Sequence, residues 1–191
     1  NNTIVRQNEQ SLSFAVCGLE PKDSRAVFKN VNVDLRQYKR LKMFIHAEAY
    51  NNVPVSDGEV VGFLRFGTDF RDNFYQVEVP LRITQPGTND PQTIWPEVNN
   101  IDLALSLLSE IKSKAIANGT LQELNYFDEE GNPVPEFEIL EPGQQRVAIK
   151  GNPSLGNVRA VMVGIKNPST ALGDDACAEV WFNELRLAEL D

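Results

Sequence analysis

Only two cysteines, Cys17 and Cys177, and a single histidine, His46, occur in the 191 residues. That leaves little material for a Ser-His-Asp triad or for a zinc site built from several His and Cys ligands. No apolar run approaches the ~20 residues that cross a bilayer as a helix. Basic residues are also scarce: 18 Lys and Arg stand against 27 Asp and Glu, a net charge of −9. A surface that binds nucleic acid or an anionic membrane needs clustered Lys and Arg, so neither partner is expected. There is no P-loop, no G-x-G-x-x-G behind a strand, no G-x-S-x-G elbow and no EF-hand loop. The neighbouring carboxylates Asp174-Asp175 and Glu129-Glu130 fall in turn-like segments, whereas glycoside hydrolysis needs two carboxyls converging across a cleft. These absences predict a protein that is not an enzyme and needs no cofactor. A structural calcium ion on loop carboxylates and carbonyls is the one metal the acidic composition leaves open.

What is present is a soluble-type composition, 41% apolar and 24% charged, long enough to build one core without a staple. The opening Asn1-Asn2-Thr3 carries no signal-peptide pattern. It reads as either a cytoplasmic start or a mature segment of a longer secreted chain, and the abrupt ends favour the second.

Period-two alternation marks strands at 11–16, 26–33, 41–50, 60–66, 74–84, 146–150, 159–166 and 178–187. Asp57-Gly58 is a hairpin signal between the third and fourth. Between Pro86 and Pro96 the pattern breaks. Ile101, Ala104, Leu105, Leu108, Ile111, Ala115 and Ile116 then recur at spacings of three and four, which predicts a helix at about 100–118, capped by Asn99 or Asn100 and ended at Asn118-Gly119. Many strands with one inserted helix, and no alternating βα units, predict a mainly-β sandwich. It would be a single domain over 1–191 with a helix-containing insertion at about 85–145. Cys17 lies in the first strand pattern and Cys177 opens the last. Terminal strands of a sandwich often lie side by side, so a disulfide and a pair of buried thiols are both compatible with the pattern.

Alternation also sorts side chains by face. If the third, fourth and fifth strands are neighbours, one sheet face carries His46, Glu48, Arg65, Gln76, Glu78 and Arg82, with Phe44, Phe63 and Phe74 beside them. Such a polar and aromatic face would suit a glycan. The plainer alternatives are cross-strand ion pairs on a solvated face, or a face covered by the inserted helix.

Several long stretches carry a family likeness. They are Arg65-Phe66-Gly67-Thr68-Asp69-Phe70, Asn73 to Leu81, Trp95-Pro96-Glu97-Val98-Asn99-Asn100-Ile101-Asp102-Leu103, Gly151 to Arg159, and Glu179-Val180-Trp181-Phe182-Asn183-Glu184-Leu185-Arg186-Leu187. Together they resemble the SprA/Sov family, outer-membrane translocons of the type IX secretion system of Bacteroidetes, linked to gliding motility in gliding members. The resemblance implies one soluble domain of a giant barrel protein, with a jelly-roll fold like galactose-binding and carbohydrate-binding modules. It implies a non-catalytic structural or interaction role at the cell surface, on the extracytoplasmic side of the outer membrane. The rest of the translocon chain, its accessory proteins, and secreted cargo or glycan would be the partners. This stretch would not insert in the membrane itself, since it lacks the repeated lipid-facing spans of a barrel. A carbohydrate-binding module is the alternative.

Overall fold

The computed structural model describes residues 11–190. In chain order the elements are β1 (Leu12–Leu19), β2 (Ser24–Val33), β3 (Tyr38–Glu48), β4 (Val61–Gly67), β5 (Phe74–Pro80), the one-turn helix α1 (Pro91–Ile94), a 3₁₀ turn (Glu97–Asn99), β6 (Ile101–Ala104), α2 (Leu105–Ala117), β7 (Asn125–Phe127), β8 (Arg146–Lys150), β9 (Val158–Lys166) and β10 (Ala176–Leu190). They form a four-stranded sheet in the order β1-β10-β3-β6 and a six-stranded sheet in the order β2-β9-β4-β5-β8-β7. Every pairing between these strands is antiparallel. With β7 and β8 set aside, the first and last strands are neighbours in one sheet, and the second and next-to-last in the other. That is the double Greek key of a jelly roll. No helix among the described residues is long and apolar enough to cross a membrane.

The core lies between the sheets and follows from the alternation. Leu41, Met43, Ile45 and Ala47 of β3 face Leu64 and Phe66 of β4 and Tyr75, Val77 and Val79 of β5. Burial holds the Tyr75 phenol in its neutral form and pushes its pKa up to about 12. Leu105, Leu108, Ile111 and Ala115 of α2 join the same core, and α2 packs against β3, β6 and β8. The helix therefore plugs the open side of the sandwich between the β6 and β8 margins. At the opposite margin β2 is exposed along most of its length.

Three expectations are corrected here. The helix starts at Leu105, not near Asn100, because Ile101 and Leu103 pair with Met43 and Leu41 as strand β6. Both hydrophobic periods fit Ile101-Asp102-Leu103-Ala104, and the vacant edge of β3 decides between them. β6 lies inside the expected 85–145 insertion yet belongs to the jelly roll itself. The fifth strand ends at Pro80, which has no N–H for the ladder, and the chain then crosses to the other sheet, where Thr84 bridges Glu48. Asp57-Gly58 is no hairpin turn, because β3 and β4 lie in opposite sheets. Gly58 takes a φ of +81° in an arch between them, and Asp57 Oδ1 accepts the Ile83 N–H at 2.7 Å.

The β4–β5 loop is organised by one carboxylate. Asp69 Oδ1 accepts the backbone N–H groups of Arg71 (2.9 Å), Asp72 (2.7 Å) and Asn73 (3.2 Å), and Oδ2 accepts Asn73 Nδ2–H at 2.8 Å. The Asn73 side chain first, then these amides, hold the Asp69 carboxyl down at about 2. Gly151, at φ +69°, backs directly onto the Asp72 carbonyl, where a Cβ has no room. The depressed pKa stabilises the fold above the unfolded-state value of ~3.9, and that contribution disappears as the pH falls toward 2. Asp69→Ala is expected to cost about 1 kcal/mol at pH 7, with solvent screening taken into account. Urea unfolding midpoints of variant and parent should differ at pH 7 and converge at pH 2. A gap that persists unchanged at pH 2 would assign the effect to packing instead.

Candidate functional site

The nine residues expected on one face do not share it. β3 belongs to the four-stranded sheet and β4 and β5 to the six-stranded sheet, so Phe44, His46 and Glu48 lie on one outer surface and Phe63, Arg65, Phe74, Gln76 and Glu78 on the other. Arg82 lies in the crossover after β5. Asn99 brackets its backbone, accepting its N–H at 2.7 Å and donating to its carbonyl at 3.0 Å, while its exposed side chain reaches to 3.8 Å from Asp57. Adjacent β-strand patterns suggested neighbouring strands. The jelly-roll connection after β3 instead sends the chain to the opposite sheet.

On the six-stranded sheet the register places Arg65 beside Gln76 and Phe63 beside Glu78, with Arg146 of β8 next to Glu78. The result is a continuous polar relay. Arg65 stacks over the Phe74 ring at 3.9 Å, donates from Nη1 to the Phe70 carbonyl at 2.7 Å and from Nε to Gln76 Oε1 at 2.7 Å. Gln76 Nε2–H donates to Glu78 Oε2 at 2.7 Å, and Glu78 Oε1 receives Arg146 Nη2–H at 2.9 Å. Lys166 approaches the same carboxylate at 3.4 Å and Glu136 at 3.6 Å. Phe63 lies over Gly164, where a larger residue would meet its ring.

The Gln76–Glu78–Arg146 end of this relay is sealed. Glu78 is 0% exposed and Arg146 1%. The segment 133–140 crosses the sheet there, fastened by Arg146 Nη1–H donating to the carbonyls of Pro135 (3.1 Å) and Glu138 (2.9 Å) and by the Phe137 ring 4.7 Å from Lys166 Nζ. Burial, with Glu78 and Glu136 close by, pushes the Tyr126 phenol far above its ordinary pKa. Arg146, Lys166, Tyr126 and Phe137 were missed by sequence reasoning. A β8 strand of Arg146-Val147-Ala148-Ile149-Lys150 displays its outward cations plainly, but only the pairing with β5 sets Arg146 against Glu78.

On the four-stranded sheet His46 is covered by the turn after α1. Its Nδ1–H donates to the Ile94 carbonyl at 2.6 Å, and Nε2 lies 3.3 Å from Glu48 Oε2. The two tryptophans of the chain flank it: the ring centroids of Trp181 and Trp95 are 4.8 and 5.6 Å away. Cys17 of β1 and Cys177 of β10 are joined as a disulfide across adjacent strands, with Cα atoms 4.0 Å apart. Among the described residues no group of three or more His, Cys, Asp or Glu is placed to hold a metal ion.

Compared with known proteins, residues 1–191 match the family model SprA_N, described as motility related/secretion protein. No curated protein matches the chain.

Proposed function

Since the chain belongs to the SprA_N family of motility-related secretion proteins, we propose that it is a non-catalytic interaction domain of a cell-surface protein that serves type IX secretion and gliding motility at the outer membrane. One observation carries the non-catalytic part. The side chains with chemical potential, His46, Glu78, Arg146 and Lys166, are all bound to internal partners beneath covering segments. Bound in that way, they fasten loops to sheets rather than meet a substrate. The Cys17–Cys177 disulfide supports an extracytoplasmic site, where such bonds persist. The role requires no cofactor, and its partners are the rest of the longer chain, its accessory proteins and exported cargo. The glycan-binding alternative loses its first surface, since Phe63, Phe74, Gln76 and Glu78 are buried.

In-frame deletion of residues 11–190 from the full-length protein is expected to abolish export and gliding. His46→Gln with Glu48→Gln is expected to leave both intact. Secretion that survives the deletion would overturn the interaction role. Loss of secretion in the double variant, at normal protein level, would point to chemistry instead.

A further inference from the structure

A groove of about 460 Å³ opens at the end of the sandwich where the Asp57-Gly58 arch, the segment 137–142 and the loop between β9 and β10 meet. Its walls include Ile139, Leu140, Pro142 and Pro168. The two most exposed large apolar side chains among the described residues belong to this place. Ile139, on the wall, is 77% exposed, and Leu172, next to the lining residue Ala171, is fully exposed. Apolar surface rimmed by polar groups in this way marks a contact with another protein.

The rim carries one sign of charge. Asp57, Glu59, Glu141, Asp174 and Asp175 line the groove, and no Lys or Arg does. Three of these carboxylates serve the fold. Asp57 accepts the Ile83 N–H, Glu59 the Ser56 N–H at 2.9 Å and Asp174 the Ser169 hydroxyl at 2.7 Å. Of the nearby cations, Arg82 meets Asp57 at 3.8 Å, and Lys22 and Lys166 lie over the Phe137 ring. Glu141 and Asp175 are left exposed, with no hydrogen bond or ion pair to their carboxylates among the described residues. The acids are not grouped to hold a metal ion.

Both walls are fixed in advance. Asn167, 1% exposed, donates to the carbonyls of Leu19 (2.9 Å) and Asp174 (2.8 Å) and accepts the Ser169 N–H at 3.0 Å, which locks the loop after β9. Arg146 fastens the opposite wall through the Pro135 and Glu138 carbonyls. A preformed groove orders little on binding, so more of the contact energy appears as affinity.

We propose that this groove docks an extended polypeptide segment in which Lys or Arg flanks a large apolar side chain. The apolar group sits against Ile139 and Leu140, and the cations face Glu141 and Asp175. Charge complementarity selects this occupant. A second copy of the chain brings the same net charge of −9 and is repelled at long range. The proposal rests on the interaction role above and gives it a surface and a partner chemistry.

The test titrates the 191-residue chain into a fluorescein-labelled peptide that alternates Lys and Arg with Leu and Phe, read by anisotropy. Saturable binding with Kd below about 100 µM is expected at low salt, weakening several-fold as ionic strength rises past about 0.15 M. A peptide with Glu at every cationic position is expected not to bind. One with Ser at every apolar position is expected to bind at least about tenfold more weakly. Ile139→Ser is expected to weaken binding about tenfold, and Glu141→Gln with Asp175→Asn about fivefold. These three side chains are exposed, so the variants keep the parent fold. Asp72→Asn, in the β4–β5 loop at the other end of the sandwich, leaves binding unchanged. No saturation at about 1 mM protein overturns the proposal. If export is still lost on deletion, the interaction role then stands on another surface. Binding indifferent to Ile139→Ser, or as tight for the Ser-containing peptide, would show charge attraction alone and also overturns it. So does self-association in sedimentation equilibrium that Ile139→Ser abolishes, which would make a second copy the occupant.

Discussion

Glu78→Gln is expected to lower the free energy of unfolding by about 3–5 kcal/mol, the largest single-residue effect in this chain. Glu78 sits 0% exposed, 2.9 Å from Arg146 and 3.4 Å from Lys166. Removing its charge leaves two cations with little water to solvate them. Lys166 keeps the half-exposed Glu136 at 3.6 Å, so most of the cost falls on Arg146, whose Nε already lacks a partner. The fastening of segment 133–140 depends on the Arg146 orientation, so proteolysis between Pro133 and Leu140 is expected to speed up in the same variant. Chemical denaturation measures the first effect and limited digestion the second. A buried ion pair is not in itself a gain over apolar packing. The triple variant Glu78→Leu, Arg146→Met, Lys166→Met is therefore expected to recover most of the loss while still leaving the segment loose. A Glu78→Gln protein within about 1 kcal/mol of the parent would show that water reaches the cluster.

The second large effect is that of the disulfide. Cys17 and Cys177 are 160 residues apart in sequence, and β2 to β9 all lie within the loop they close. The chain-entropy relation gives about 5 kcal/mol for a loop of this length, and measured losses run from about 2 to 5. Cys17→Ser with Cys177→Ser is expected to fall in that range. The loss also has a place. β1 is an edge strand held by β10 alone, and of its eight residues only Leu19 is fully buried. Amide exchange in β1 is therefore expected to approach that of an unprotected strand while the β4 and β5 amides remain slow. A serine pair as stable as the parent, with β1 still protected, would show that the backbone ladder holds this edge unaided.

Much of the fold was legible because alternation is a local signal. Leu41, Met43, Ile45 and Ala47 declare one face of β3 whatever lies beside it, and Arg146–Lys150 forms a strand at the limits its pattern set. Asn118-Gly119 ends α2 as expected, with Gly119 at φ +69°. The site was less legible, because facing is local but neighbourhood is not. Arg65, Gln76 and Glu78 do share a face, since β4 and β5 form a hairpin. His46 and Glu48 do not join them, since the Asp57-Gly58 arch carries the chain from one sheet to the other.

What the amino-acid sequence determined by itself is eight of the ten strands, the amphipathic helix, the acidic surface and the membership of a secretion-linked family. What only tertiary structure decided is which strands lie side by side. Hydrogen-bond ladders form between segments as far apart in sequence as Leu12 and Phe182, and no local period encodes that choice. The pairing turned Glu78, Arg146 and Lys166 into a buried clasp and brought Cys17 to Cys177. A bulge in β10 between Asn183 and Arg186 swung Arg186 over Phe44, because one extra residue in a ladder inverts every side chain beyond it.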